Sequence, residues 1–290
     1  MLNLFFKKKK NIQISTKKSR KFMFIGCAIS HVGCIRQNNE DNYVLGRYIN
    51  GNMANYSHIS MRSEDDLGTW KIAGVFDGMG GGEKGEIASY ATAKLFSNMR
   101  NEIAAESDKS SIDTIFRESF LRANNQIVEM RKENGVCGTT GTVLCTNGQE
   151  FKIYHLGDSR AYLLRGFDFL QLTKDQTLAQ LKRDTGLIAE DESESELDKN
   201  KLTNYIGRDL AGKYLNPIES QWIPLEDGDC ILLCSDGLYN TCTSGEIKAV
   251  LTESKNIEER CEKLIEFALS REGSDNITCV VLLFADHIPD

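Results

Sequence analysis

The chain has no C-x-x-C pair among its nine cysteines, and its four histidines form no zinc-ligand pattern with them. An odd number of scattered cysteines, several of them inside apolar runs (Cys145, Cys230, Cys234, Cys279), fits reduced core thiols in a reducing compartment rather than a disulfide framework. Zinc is an equally poor fit. No stretch reaches the roughly 18 apolar residues that a membrane helix needs. Basic excess is missing too: the formal charge is -7, which speaks against a phosphate backbone as the principal ligand. There is no C-x5-R loop, so a cysteine phosphate-ester chemistry has no seat. No internal repeat is evident, and nothing splits the core in two.

What remains is 290 residues with a 40% hydrophobic fraction, enough for one large core. Residues 1–20 read as a basic, disordered tail rather than a secretory signal, because the apolar run after it continues into the first strand. Residues 21–290 read as a single domain. The order is strands, two helices, many strands, two helices and a last strand. That pattern predicts an α+β fold of two packed antiparallel sheets flanked by helices on both outer faces. The runs WKIAGVF, DCILLC and NITCVVLLF are apolar at odd and even positions alike, so both of their faces must be covered. The polar insert at 50–69 is expected to be a hairpin tip or loop. Ile87, Ala91, Leu95, Met99 and Ile103 predict the stripe of one helix, and Ile112, Ile115, Phe116, Phe120, Ala123, Ile127 and Met130 that of a second. Residues 174–205, acidic at their centre, read as a surface excursion with short helical pieces.

Three of the doubly buried strands begin or end on an aspartate: Asp77, Asp236 and Asp275. Glu40 and Asp41 precede an early strand. Buried carboxylates each cost several kcal/mol unless something compensates them. One shared divalent ion site is the economical answer, and oxygen-only donors select magnesium, manganese or calcium. Asp77 runs into four glycines in five positions, which lets the Gly78 carbonyl turn inward beside it. Each aspartate alone is more simply a turn or cap; it is the set that argues for metal.

RQNNEDN, VFDGMGGGEKGEIAS, GTTGTV, HLGDSRAYLLR, LLCSDGL and SDNIT, in that order, resemble the metal-dependent type 2C (PPM) Ser/Thr protein phosphatases in their compact bacterial form, over about residues 24–285. The resemblance implies two manganese or magnesium ions. Asp77, Asp236 and Asp275 would hold the first; Asp77 and the Gly78 carbonyl the second; Glu40 and Asp41 would lie just outside. Arg36 would grip substrate phosphate, and catalysis would centre on Arg36, Asp77 and Asp236. A third ion would sit at Asp158, weakened because Asn240 stands where relatives carry an acid. Water bridging the ions would attack phosphoserine or phosphothreonine in line. Met79 stands where many relatives outside the bacterial group have a histidine, and Asp175-Gln176-Thr177 where many have Asp-His-Ser. The 174–205 excursion occupies the place of the family's flap, beside the active site. The implied partners are phosphorylated proteins, including a Ser/Thr kinase and its substrates, met by a cytoplasmic monomer without nucleic acid or membrane segment. The alternative is an inactive phosphatase-like binding or regulatory module.

Overall fold

A computed structural model describes residues 20–65, 70–80, 84–99, 102–103, 107–188, 195–210, 215–254 and 256–287. The expected basic tail, apart from Arg20, and the acidic centre of the flap at 189–194 lie outside the described residues.

The first strands are β1 (Met23–His31), β2 (Asp41–Leu45), β3 (Tyr48–Ile49), β4 (Tyr56–Arg62) and β5 (Lys71–Gly80). Two helices follow, α1 (Gly85–Met99) and α2 (Lys109–Asn134). Then come β6 (Cys137–Thr139), β7 (Gly141–Thr146), β8 (Glu150–Leu156), β9 (Arg160–Arg165) and β10 (Asp168–Gln171). The flap carries α3 (Leu178–Asp184) and α4 (Glu196–Lys199). The chain returns through β11 (Ile218–Glu219), β12 (Ile223–Pro224), β13 (Cys230–Cys234), α5 (Asp236–Tyr239), α6 (Ser244–Glu253), α7 (Ile257–Leu269) and β14 (Ile277–Ala285).

The strands form two antiparallel sheets flanked by helices. One sheet runs β10-β9-β13-β14-β1-β4, the other β11-β8-β7-β5-β2-β3, with β12 on β8 and β6 on β5. The doubly apolar strands are explained by where alternate side chains go. Along β13, Cys230, Leu232 and Cys234 face a cluster with Leu251, Cys261 and Leu264 of α6 and α7. Ile231 and Leu233 enter the layer between the sheets with Val75, Leu144, Val280 and Leu282. On the opposite outer face Ile72, Phe76 and Val143 meet Phe96, Phe116 and Phe120 of α1 and α2. All nine cysteines are unpaired and eight are buried, as the sequence suggested; Cys34 alone is exposed.

Two local expectations need correction. The polar insert is not all loop: β4 pairs along β1 from Ile25↔Arg62 to His31↔Tyr56. It is the edge strand of its sheet, with exposed Tyr56, His58 and Ser60 alternating with Ser57, Ile59 and Met61, the last two packed on the layer between the sheets. The buried face of α1 is also rotated from the expected stripe. Gly85, Ala88, Ser89, Thr92, Ala93, Phe96 and Met99 are buried, whereas Ile87, Ala91 and Leu95 are only partly so, and Ile103 lies beyond the helix. Small residues take the inner face because α1 lies close on β2 and β5. Of the stripe expected for α2, Ile112, Phe116, Phe120, Ala123 and Ile127 are buried, whereas Ile115 and Met130 are only partly so.

Candidate active site

The acidic residues singled out in the sequence gather at one end of the two sheets, most of them at strand ends or in turns; Asp77 instead lies within β5, which does not end on the aspartate as expected but runs on to Gly80, where it pairs with β6. Asp41 and Asp77 lie directly opposite each other in the β2–β5 pairing. Asp158 sits in the turn before β9, Asp236 is the first residue of α5, and Asp275 lies just before β14.

Local hydrogen bonds fix these positions. Thr140 Oγ1 accepts the Asp77 amide at 2.9 Å, and the Asp77 carbonyl accepts the Thr140 amide at 2.8 Å and the Thr139 hydroxyl at 2.9 Å. The threonine pair of the GTTG run is therefore a cradle for Asp77. Ser235 Oγ donates to Asp41 at 2.6 Å. Asn276 accepts the Glu40 amide at 2.8 Å and donates to the carbonyls of Val32 and Asn38, holding the Arg36–Glu40 loop against the end of β14. Gly237 must be a glycine, since a Cβ there would lie 2.1 Å from the Asn276 carbonyl.

Gly78 is a glycine for a related reason. A Cβ would meet the Gly85 and Glu40 carbonyls at 2.3 and 2.4 Å, so close approach of the α1 N-terminus excludes any side chain. Its neighbours Gly81 and Gly82 lie outside the described residues. Glu40, in turn, accepts a hydrogen bond from the Gly85 amide in the first turn of α1.

The electrostatics show how near the acids are to one another. Burial first, then the charge of Asp41 and after it Asp236, Asp158 and Asp275, holds Asp77 well above the usual carboxylate range. Burial pushes Asp41 up to about 7 against the help of Ser235 and Thr278. Asp236 rises to about 6, through burial and then the charge of Asp275, although it is hydrogen-bonded to Asp77. Asp158 is raised well above normal by burial and then Asp236. Glu40 is raised by burial and then by Glu86, a neighbour that sequence reasoning did not single out.

Arg36 stands at the rim, half-exposed, and donates to Asp275 Oδ2 at 2.9 Å. Asn240 donates to Asp236 Oδ2 at 3.1 Å. With these acids turned to Ser235, Arg36 and Asn240, no three Asp, Glu, His or Cys side chains among the described residues converge as a closed ligand set. Their chemistry still fits a divalent ion. The donors are all carboxylate or carbonyl oxygen, the ligands of hard cations, and their mutual repulsion is what such a cation would relieve.

Beside the cluster lies a cavity of about 230 Å³, lined by Asp158, Asp236 and Asn240 on the sheet side and by Gln180, Lys199 and Asn200 of the flap. The divergent triplet at its base has structural work: Asp175 pairs with Arg160, Gln176 Oε1 accepts the Gly157 amide at 2.9 Å, and Thr177 caps α3. The Arg160 and Tyr239 contacts were not anticipated from sequence, because nothing in the spacing of GDSR and SDGLY says that the two turns touch.

The profile of the Protein phosphatase 2C family matches residues 34–182. The chain belongs to the protein phosphatase 2C family. It is 31% identical over 233 residues to the Serine/threonine phosphatase stp of Listeria welshimeri, covering 77% of this chain and 91% of the relative. It is 30% identical over 265 residues to Serine/threonine protein phosphatase PstP of Mycobacterium tuberculosis, spanning 90% of this chain and 45% of that one. Among solved structures, the S. agalactiae serine/threonine phosphatase superposes with a TM-score of 0.75 at 26% identity, covering 89% of this chain and 98% of that one. The catalytic domain of PstP in complex with two manganese ions gives a TM-score of 0.69 at 26% identity, over 91% of this chain and 99% of that one. The protein phosphatase 2C fold thus accounts for the two sheets and the helices that flank them.

Proposed function

We propose that this chain is a manganese- or magnesium-dependent protein Ser/Thr phosphatase acting on phosphoserine and phosphothreonine. The observation that carries the reading is the meeting of Asp41, Asp77, Asp158, Asp236 and Asp275, each within the electrostatic reach of another, at one end of a protein phosphatase 2C fold. Asp77, Asp236 and Asp275 would hold one ion, Asp77 and the Gly78 carbonyl a second, and Asp158 a weaker third. Glu40 and Asp41 would orient solvent around them. When bound, such ions lower the pKa of water and neutralise charge on a phosphoryl group. The manganese in the PstP complex supports this choice of metal.

Arg36 supplies the planar fork for two phosphate oxygens, and its half-exposed place beside Asp275 leaves it open to an incoming phosphoprotein. Met79 has no proton to give, so the leaving oxygen must take its proton from water or another group. The partners are phosphorylated proteins, a Ser/Thr kinase and its substrates among them. We read residues 21–290 as one catalytic domain, with 174–205 as its flap and 1–20 as a basic tail, working as a monomer. The unpaired thiols favour a reducing cytoplasm, and no helix among the described residues is long and apolar enough to cross a membrane.

The test is hydrolysis of p-nitrophenyl phosphate and of a phosphothreonine peptide with and without manganese, using Asp236→Ala as the control. The wild type should be stimulated and the variant silent. Equal metal-stimulated rates in both would overturn the reading and leave a phosphatase-like binding module.

A further inference from the structure

Three separate pieces of chain meet on one guanidinium. Arg160, at the start of β9, donates to both carboxylate oxygens of Asp175 through Nε and Nη2, at 3.0, 3.2 and 2.6 Å. Its Nη1 donates to the Tyr162 hydroxyl at 3.2 Å. The guanidinium carbon lies 3.6 Å from the centre of the Tyr239 ring, the close stacked geometry in which an arginine–aromatic contact is strongest. The Tyr239 hydroxyl then donates to the Asp158 carbonyl at 3.1 Å.

Each piece leads somewhere different. Asp175 opens the flap, whose base is a short ladder: the Thr203 amide to the Gln176 carbonyl at 2.7 Å and the Leu178 amide to the Lys201 carbonyl at 2.8 Å. Tyr239 belongs to the single-turn α5 that begins with Asp236. Asp158 is in the turn that leads into Arg160 itself. A second tie, Gln176 to Gly157, joins the flap to the same turn but does not reach α5. Arg160 and Tyr239 therefore link the flap base to the helix carrying Asp236.

We infer that Arg160 and Tyr239 are positioning residues that couple the flap base to the acidic cluster, so that a cation held at Asp158 and Asp236 stiffens the flap ladder through them. The inference rests on the metal-dependent reading above. The Tyr239–Asp158 bond and the Arg160–Tyr239 contact are already formed; a cation that ties Asp158 to Asp236 would hold the GDSR turn against α5 and so make both contacts, and the Asp175 pair beyond them, open less often. Coupling of this kind is reciprocal, so a substrate that orders the flap would also tighten cation binding.

The experiment is amide hydrogen exchange at Leu178 and Thr203 in full-length protein stripped with chelator, measured with and without manganese chloride, alongside calorimetric manganese titration. In the wild type, manganese should slow exchange at both amides by about tenfold, within the usual range of coupling between sites. In Arg160→Lys, which keeps the charge but loses the fork and the flat stack, and in Tyr239→Leu, which leaves the Arg160–Asp175 pair intact, the slowing should shrink to about twofold or less. Manganese affinity in both variants should fall in the same sense. A purely structural role would speed exchange equally with and without manganese and preserve the ratio. Retention of that ratio in whichever variant remains cooperatively folded would overturn the inference. So would a wild type that hydrolyses phosphopeptide with manganese yet shows no slowing, and there the proposed function would stand. A wild type that neither binds manganese nor hydrolyses would overturn both.

Discussion

Asp41 and Asp229 are aspartates of nearly equal burial, 2% and 1% exposed, in opposite circumstances. Asp229, at the start of β13, is held by both Nε and Nη2 of Arg165 at 2.7 and 2.6 Å, and it also accepts the Glu226 amide. Asp41, at the start of β2, faces Asp77 across the sheet and is met by neutral hydroxyls, Ser235 at 2.6 Å and Thr278. The same residue type is thus neutralised by an arginine at one end of the sandwich and set against like charge at the other. Lys152 repeats the paired pattern on the outer edge, 2.8 Å from both Asp113 and Glu219. Paired burial serves the fold. Opposed burial costs stability and is best explained by a ligand that supplies the missing positive charge.

Asp77→Asn breaks the comparison most severely. It should reduce manganese-stimulated phosphatase activity by more than the roughly hundredfold expected from loss of an outer-shell partner. The metal-free protein should meanwhile hold or raise its thermal midpoint, because a repelling carboxylate has gone. Steady-state kinetics and calorimetric melting read the two halves separately; a large fall in metal-free stability would mean that Asp77 is a structural acid after all.

The mirror experiment is Arg165→Ala, which leaves Asp229 buried without its partner. Breaking a buried pair this way costs about 3–5 kcal/mol. Denaturant unfolding should show that loss, while kcat per folded molecule remains close to wild type, since Arg165 contacts Asp229, Glu226 and the Pro224 carbonyl far from the acidic end.

The two ends differed in how readily they were legible. The acids announced themselves because a carboxylate at the end of an apolar run has no cheap resting place, and Asp77, Asp236 and Asp275 each carry that signature. The three-layer core could be read from strands apolar on both parities. Three features escaped, for definite reasons. β4 has an inward set of Ser57, Ile59 and Met61, only two of them apolar, which is too short an alternation to stand out in a polar stretch. The inner face of α1 was obscured because Ala88, Ser89, Thr92 and Ala93 are selected for close approach rather than for hydrophobicity, while Ile87 and Leu95 lie at its margin. Arg160, Tyr239, Ser235 and Glu86 act through contacts between distant turns, and one sequence without register cannot show them.

His155 sharpens the comparison with a third way to bury a titratable group, which is to keep it neutral. It lies opposite Thr142 in the β7–β8 pairing, with Nδ1 2.9 Å from the Thr142 hydroxyl and Nε2 3.2 Å from the Lys174 carbonyl. Burial pushes its pKa down to about 4, against the opposing charge of Asp175. Between that value and the ordinary one near 6.5 the unfolded chain holds the extra proton, so acid drives unfolding through this residue. The loss begins as pH falls through about 6.5 and is complete below about 4, amounting to about 3 kcal/mol. Raised carboxylates slope the other way over part of that window, because the folded state takes their protons first. The difference between wild type and His155→Gln cancels the contribution of the acidic end and isolates that of the imidazole. Urea unfolding of the two proteins at pH 7.5 and pH 4.5 should therefore show the wild type losing about 2–3 kcal/mol more than the variant on acidification; parallel losses would mean that His155 is protonated in the folded protein.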